Sequence, residues 1–328
     1  MATDTQTKPH IDPKRISEYT DEEAFRDSIG TLDEYGKRKW IHPKYLRGKW
    51  LKRREFVALG LLAFFFAGPF IRIGGRPLLL LDIVEREFVF LGQPFFPQDF
   101  HLLVLTVLTT VVFIVLFTVA FGRLFCGWIC PQTIFMEFVF RRLEHWIEGN
   151  HTQRRKLDQT PWINRKKLLR RGGKNLLFYG IAFIISNWFL MYVMGSGDWY
   201  QLVTDPPRQH LGGLGAMLIF SAVFFFVFAI LREQVCIVAC PYGRLQGALL
   251  DKHSIVVAYD HERGEPRGKK KKATLEDPNV GDCVDCLQCV QVCPTGIDIR
   301  NGTQLECVNW TACIDACEDI MEKLGSPK

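Results

Sequence analysis

Leu102 to Phe121 contains no charged residue, and neither does Leu176 to Met194 or Leu214 to Leu231. Each is close to the ~20 apolar residues that a helix needs to cross a bilayer. Three such runs in one chain are rare in soluble folds, so we read them as membrane spans rather than buried core helices. A fourth stretch, Phe56 to Ile71, is shorter and holds Pro69; its flanking Arg54 and Arg72 can reach the two interfaces. We read it as a further span. The charges gather between the blocks, so their placement says more than the formal net charge of +6. Lys49, Lys52, Arg53 and Arg54 precede the first span, and the segment between the second and third is dense in Arg and Lys, whereas Gly195 to Gly213 carries only Arg208. Basic residues stay on the cytoplasmic side. This predicts a cytoplasmic N-terminus, middle segment and tail, with residues 72–100 and 195–213 facing outward. The polar start of the chain, MATDTQTKPH, does not read as a secretory signal.

Eleven cysteines in 328 residues stand in groups, which points to metal or redox chemistry rather than to a disulfide framework. Spans two and four run into GRLFCGWICPQT and REQVCIVACPYG, giving C-x3-C-P twice: Cys126, Cys130, Pro131 and Cys236, Cys240, Pro241. His101 and His210 lie upstream at similar distances, each at an outer helix end where a polar residue is ordinary. The repetition reads as a duplicated helical hairpin. A proline after the second cysteine starts a new helix and leaves Cys130 and Cys240 at N-termini, where the dipole favours thiolate. Four soft sulfur ligands gathered there suit Cu(I), zinc or an iron–sulfur centre. From Pro131 onward, Ile134, Phe135, Phe138, Val139, Leu143 and Trp146 recur at helical spacing opposite Glu137, Arg141 and Glu144. The simplest reading is a helix lying on the membrane surface. Lys269 to Lys272 reads as a solvated linker.

The tail carries Cys283, Cys286, Cys289 and Cys293 with Pro294 following, the C-x2-C-x2-C-x3-C-P run of bacterial ferredoxins, in which the fourth cysteine serves the other cluster. One four-iron cluster is therefore expected on Cys283, Cys286, Cys289 and Cys317. The second run, CVNWTACIDAC, leaves Cys293, Cys307 and Cys313 with Trp310 at the fourth corner. An indole nitrogen only donates and cannot ligate iron. A three-iron cluster, a labile four-iron cluster with an outside ligand, or no cluster are the options there.

Read together, FCGWICPQTIFMEFVFRRLEHWIEG, VCIVACPYGRLQGALLD and CVDCLQCVQVCPTGIDIRNGTQLEC, with FRDSIGTLDEYGKRKWIHPK and LGQPFFPQDFHLLVL, closely resemble the CcoG/FixG family of cytochrome c oxidase accessory proteins. The resemblance implies an inner-membrane protein of bacteria that reduces Cu(II) to Cu(I) for assembly of a C-type oxidase. It assigns copper to Cys126, Cys130, Cys236 and Cys240, and clusters to Cys283, Cys286, Cys289, Cys293, Cys307, Cys313 and Cys317. Two departures stand out: the family has a cysteine at the position of Trp310, and its members continue into a further span and an extracytoplasmic β-sandwich, so this chain reads as C-terminally truncated.

The expected architecture is a multi-pass α-helical membrane protein with four transmembrane helices and a small bacterial-ferredoxin-like α+β domain. Its parts are a cytoplasmic N-terminal segment 1–54, a transmembrane domain 55–250, a basic linker 251–272 and the iron–sulfur domain 273–328. Expected partners are the membrane, copper ions, a cytoplasmic electron donor and the oxidase assembly machinery; nucleic acid is not expected, and a homodimer is left open. Two other functions fit the motifs: a quinol-linked electron-transfer module of NapH or NosR type, and a non-enzymatic copper-holding assembly factor.

Overall fold

The computed structural model describes residues 31, 37–38, 40–82, 87–90, 92–95, 100–161, 164–208, 210–250, 253–268, 280–302 and 304–327. Residues 1–30 and the run Lys269 to Lys272 lie outside these. The chain forms two units: residues 55–254, and residues 1–54 together with 255–328.

The first unit is helical except for one segment. Helix α1 (Lys49–Ala67) gives way to a short 3-10 turn at Gly68–Phe70. A hairpin of β1 (Arg72–Ile73) and β2 (Arg76–Pro77) follows. A three-stranded antiparallel meander comes next: β3 (Leu79–Asp82), β4 (Glu87–Phe90) and β5 (Gln93–Phe95), with Leu79 opposite Phe90 and Phe88 opposite Phe95. Then come α2 (Phe100–Phe121), α3 (Leu124–Trp128) and α4 (Pro131–Ile134). A π-helical stretch, Phe135–Phe140, leads into α5 (Arg141–Glu148), and α6 (His151–Gln159) and α7 (Arg165–Met194) follow. Helix α8 (Ser196–Thr204) precedes α9 (Leu211–Phe226), which continues as a π stretch to Leu231; a second π stretch, Val235–Ala239, leads to α10 (Pro241–Leu249).

Among the described residues, three helices are long and apolar enough to cross a membrane: Val104–Phe121, Arg165–Met194 and Leu211–Leu231. The fourth predicted span falls in α1, whose first turns hold Lys49, Lys52, Arg53, Arg54 and Glu55, so length and composition alone do not place it with the others. Its far end is nevertheless well held. A helix ends with orphan carbonyls; here Trp188 Nε1 donates to Phe66 O at 2.9 Å and the Tyr192 hydroxyl donates to Phe65 O at 2.7 Å, both from α7. Gly68 permits this approach, since a Cβ there would meet the Tyr192 hydroxyl at 2.0 Å. Helices α7 and α9 are joined by Ser186 and Ser221, both fully buried, whose hydroxyls are 2.8 Å apart. Small hydroxyl residues of this kind let membrane helices come close and give them a polar link.

The expectation of a surface helix after Pro131 is corrected. Phe135, Met136 and Phe140 lie in the core with Phe178, Ala182, Ile185 and Phe228. Phe140 stacks on Phe228 (4.8 Å between ring centroids) and meets Phe178 edge-on at 5.0 Å. Arg141 and Glu144, assigned to the solvent side, are buried, whereas Trp146, assigned to the apolar side, is 80% exposed. The cause is the π stretch: its wider turn rotates the helix after Phe140 out of a 3.6-residue register.

In the second unit, α11 (His261–Gly264), α12 (Gln288–Val292) and α13 (Ala312–Leu324) alternate with tight loops. Among the described residues from 255 onward there is no strand. The α+β expectation therefore differs from what is seen: isolated backbone bonds such as Gly268 N to Cys283 O and Gly281 N to Pro266 O do not build a ladder. The first turn of α1 belongs to this unit, and Asp315 caps it, accepting from Trp50 N at 3.0 Å and Leu51 N at 2.9 Å. Gly48 makes room, as a Cβ there would meet the Asp315 carboxyl carbon at 2.0 Å. Asp315→Ala is expected to cost about 1–2 kcal/mol, the range for a lost N-terminal cap; a thermal unfolding midpoint indistinguishable from wild type would refute the capping role.

Candidate metal centres

The tail loops are built twice from one backbone pattern. In Cys283–Cys289 the residues two and four after the first cysteine, Asp285 and Leu287, have φ of 51° and 56°; in Cys307–Cys313 the equivalent Asn309 and Thr311 have φ of 50° and 62°. Left-handed residues are costly for L side chains. Two in each loop coil the chain tightly enough to turn successive cysteines to one side. Each loop then enters a helix one residue before its third ligand position, α12 before Cys289 and α13 before Cys313.

Beyond the loops the two halves differ. Cys283, Cys286, Cys289 and Cys317 line one cavity of about 290 Å³, walled largely by apolar side chains including Ile299, Ile320 and Met321. Burial, then the nearby Cys283 and Cys286, push the Cys317 thiol up, and burial pushes Cys289 up to about 11. The four thiols fit a four-iron cluster: they line one cavity, and cluster binding would displace their protons. At the second position Cys293, Cys307 and Cys313 converge; burial, then Cys293 and Cys307, push the Cys313 thiol up to about 12. Their cavity is only about 20 Å³ and Trp310 forms part of its wall. That is room for little more than one water. Trp310 is 8% exposed, its carbonyl accepts from Arg54 Nη1 at 2.9 Å, and the Arg54 guanidinium lies over its ring. The second position thus brings three thiols and the Trp310 side chain together.

In the other unit the two C-x3-C-P segments meet. Cys130 and Cys240 are the N-cap residues of α4 and α10, and Pro131 and Pro241 open those helices. Cys126 lies in α3 and Cys236 in the π stretch before α10. Side chains bind one hairpin to the other. Arg123 Nη2 donates to Gly243 O at 2.5 Å, the Cys126 thiol donates to Gln246 Oε1 at 2.8 Å, and Thr133 hydrogen-bonds Cys236. Phe125 meets Tyr242 edge-on. Burial, then Cys130, pushes Cys126 up to about 12 against the opposing Arg123. Burial, then Cys130, Cys126 and Cys240, raise Cys236 to about 12. Both thiols are engaged with neighbours across the hairpins. Among the described residues no three His, Cys, Asp or Glu side chains stand together as ligands of a single ion. Metal entry here requires Cys126 and Cys236 to leave Gln246 and Thr133.

His210 pairs with Asp205 (Nε2 to Oδ2, 3.2 Å), and His101 is exposed in the first turn of α2. Gln246, Thr133 and Arg123 escaped the sequence reading because no ligand spacing marks them; only proximity to C-x3-C-P could have drawn notice. Beside the thiols lies a second unforeseen feature. Glu144 accepts from Arg154 at 3.0 Å and from Arg232, and ion-pairs Lys174 at 3.3 Å. Lys174 also pairs with Glu148, and Arg141 with Glu137 and Glu233. Arg232 takes a positive φ of 53° four residues before Cys236.

Residues 231–328 match the family described as a 4Fe-4S dicluster domain, and residues 103–151 one described as a 4Fe-4S binding domain. The chain is 35% identical over 312 residues to protein RdxB of Cereibacter sphaeroides, covering 91% of this chain and 63% of RdxB. It is 36% identical over 299 residues to nitrogen fixation protein FixG of Rhizobium meliloti, covering 89% of this chain and 56% of FixG. Ferredoxin-type protein NapH of Haemophilus influenzae is more distant, 22% identical over 297 residues, with 83% of this chain and 88% of NapH aligned. The chain thus spans about three-fifths of the length of RdxB and of FixG. No solved structure matches it.

Proposed function

This chain belongs to the CcoG/FixG family, and we propose that it reduces Cu(II) to Cu(I) at the paired C-x3-C-P cysteines for assembly of a C-type cytochrome c oxidase. It is an iron–sulfur electron-transfer protein of the membrane. The observation that carries the copper reading is the meeting of Cys126, Cys130, Cys236 and Cys240 from two separate hairpins, cross-linked through Arg123, Gln246 and Thr133. Soft sulfur ligands favour Cu(I) over Cu(II), so the site draws the one-electron reduction forward. Burial pushes the Cys126 and Cys236 thiols up, whereas their hydrogen bonds with Gln246 and Thr133 act the other way and position them for the ion. A four-iron cluster on Cys283, Cys286, Cys289 and Cys317 supplies, when bound, reversible one-electron storage. Trp310 leaves the second position out of this relay.

The reading places the chain in a bacterial inner membrane, with α1 as a fourth crossing and the thiols and tail on the cytoplasmic side, where a cytoplasmic donor delivers electrons. The basic residues flanking the spans support that orientation. A thiol reagent confined to the periplasm should leave all four hairpin cysteines unlabelled.

Anaerobic titration of the pre-reduced protein with Cu(II), followed with a Cu(I)-specific dye, tests the activity. Wild type is expected to turn over many equivalents with a donor present. Cys126→Ser with Cys236→Ser should fall to the uncatalysed background, and turnover surviving in that double variant sinks the proposal. Stoichiometric copper binding without turnover would instead establish a copper-holding role.

A further inference from the structure

A cavity of about 550 Å³ lies within the membrane unit, between α1, α4, α7 and α9. This is the size of a small-molecule site. Its walls are almost wholly apolar, with Phe65, Phe135, Ile185 and Phe224 among them. Phe64 and Val223, also in the wall, are exposed on the protein surface, so the cavity opens sideways where lipid would lie. One feature is out of keeping with a space for acyl chains. Gln132 lines it, and the Gln132 amide nitrogen is buried without a hydrogen-bond partner. The other polar lining group, the Tyr192 hydroxyl, already donates to Phe65 O. Phe125, Ile129 and Pro131, chain neighbours of Cys126 and Cys130, complete the same wall.

We propose that this cavity binds the ring of a membrane-soluble quinone, with Gln132 as its polar anchor. A hydrocarbon tail would leave the buried amide unpaired, which proteins avoid. A quinone carbonyl accepts from the amide N–H; a quinol hydroxyl donates to the amide oxygen once the amide turns over, so one side chain serves both states. Phe65, Phe135 and Phe224 offer faces and edges to a flat ring. Bound there, the ring lies against the segment that carries Cys126 and Cys130. This gives the copper reduction proposed above, on which this step rests, an electron entrance from the lipid phase. One quinol loses two electrons and two protons, two Cu(II) ions each gain one electron, and both protons leave to water.

Binding is read first without copper. Wild-type protein in nanodiscs is titrated with decylubiquinone and followed by quenching of tryptophan fluorescence. The expected result is saturable binding at one per chain, weakened about tenfold in Gln132→Leu, the loss of one hydrogen bond. In Val223→Trp, which fills the mouth without touching the amide, binding should be abolished. Equal binding in wild type and both variants overturns the proposal, as does displacement by a fatty acid as readily as by a second quinone, which would mark a lipid groove. Quinol-driven copper reduction is measured second. Quinone binding in a protein that reduces copper with neither quinol nor another donor sinks the copper reading and leaves the site standing; copper reduction in a protein that binds no quinone removes the site alone.

Discussion

Glu144→Ala is expected to destabilise the membrane unit by about 3–5 kcal/mol, the cost of removing one member of a buried ion-pair network. Glu144 is 1% exposed and receives Arg154, Arg232 and Lys174, and Arg232 is itself only 3% exposed. Around it stand the carboxylates Glu137, Glu148 and Glu233 and the cations Arg141 and Lys174. Removing the hub leaves Arg154 and Arg232 facing each other in a low-dielectric interior. The thermal midpoint in detergent should fall by many degrees, and the copper turnover proposed above should fall with it, because Arg232 takes its left-handed conformation four residues before Cys236. Glu144→Gln keeps the shape but not the charge and is expected to lose nearly as much. A midpoint unchanged in both variants would show that the charges are solvated and of little consequence.

The same network gives a pH signature. Burial by itself would raise the Glu144 carboxyl, but Arg232, then Lys174 and Arg154, outweigh it and hold the group well below the ordinary carboxylate range. A depressed native value stabilises the fold wherever the unfolded carboxyl is ionised, above about pH 4.3. That contribution is complete at neutral pH and decays as pH falls below the unfolded value toward the native one. Wild-type stability should therefore drop steeply under acid, whereas Glu144→Gln, lower at pH 7, should show a shallower acid limb.

What could be read from residues alone divides by the range of the interactions involved. The apolar blocks around residues 102–121, 176–194 and 214–231 were legible because a bilayer selects composition over a long window, and nothing local can mask it. The tail loops were legible because iron–sulfur ligands lie close in sequence; even the left-handed pairs Asp285 and Leu287, Asn309 and Thr311 repeat with the cysteine spacing. Short-range periodicity failed after Phe135, since a π stretch breaks the assumption of a constant turn. Glu144 was invisible because its partners come from positions 154, 174 and 232, each unremarkable among basic residues. Gln132 and Gln246 were invisible for the same reason: an amide has no signature until the fold shows what it faces.

Trp310→Cys should convert the tail from one cluster to two, raising bound iron from about four to about eight per chain. The loop is already shaped for it, since Asn309 and Thr311 keep the left-handed conformation of the cluster-binding loop before it. Cys293, Cys307 and Cys313 already converge, and Trp310 lines the same space at the sequence position of the fourth ligand. The Arg54 bond to residue 310 goes to the backbone carbonyl, so the substitution spares it. Emptying a buried tryptophan site costs about 3–5 kcal/mol when nothing replaces the ring. A cluster held by four thiolates would fill that space, and its affinity would offset the loss. Iron and sulfide analysis after anaerobic reconstitution counts the clusters, and low-temperature EPR should show the broadened signal of two reduced centres in place of one. Trp310→Ala separates room from ligation: it opens the space without a fourth thiolate and should give an oxidised three-iron signal at most. A folded Trp310→Cys protein that still binds about four iron atoms would mean that the backbone, not the tryptophan, keeps the second position closed.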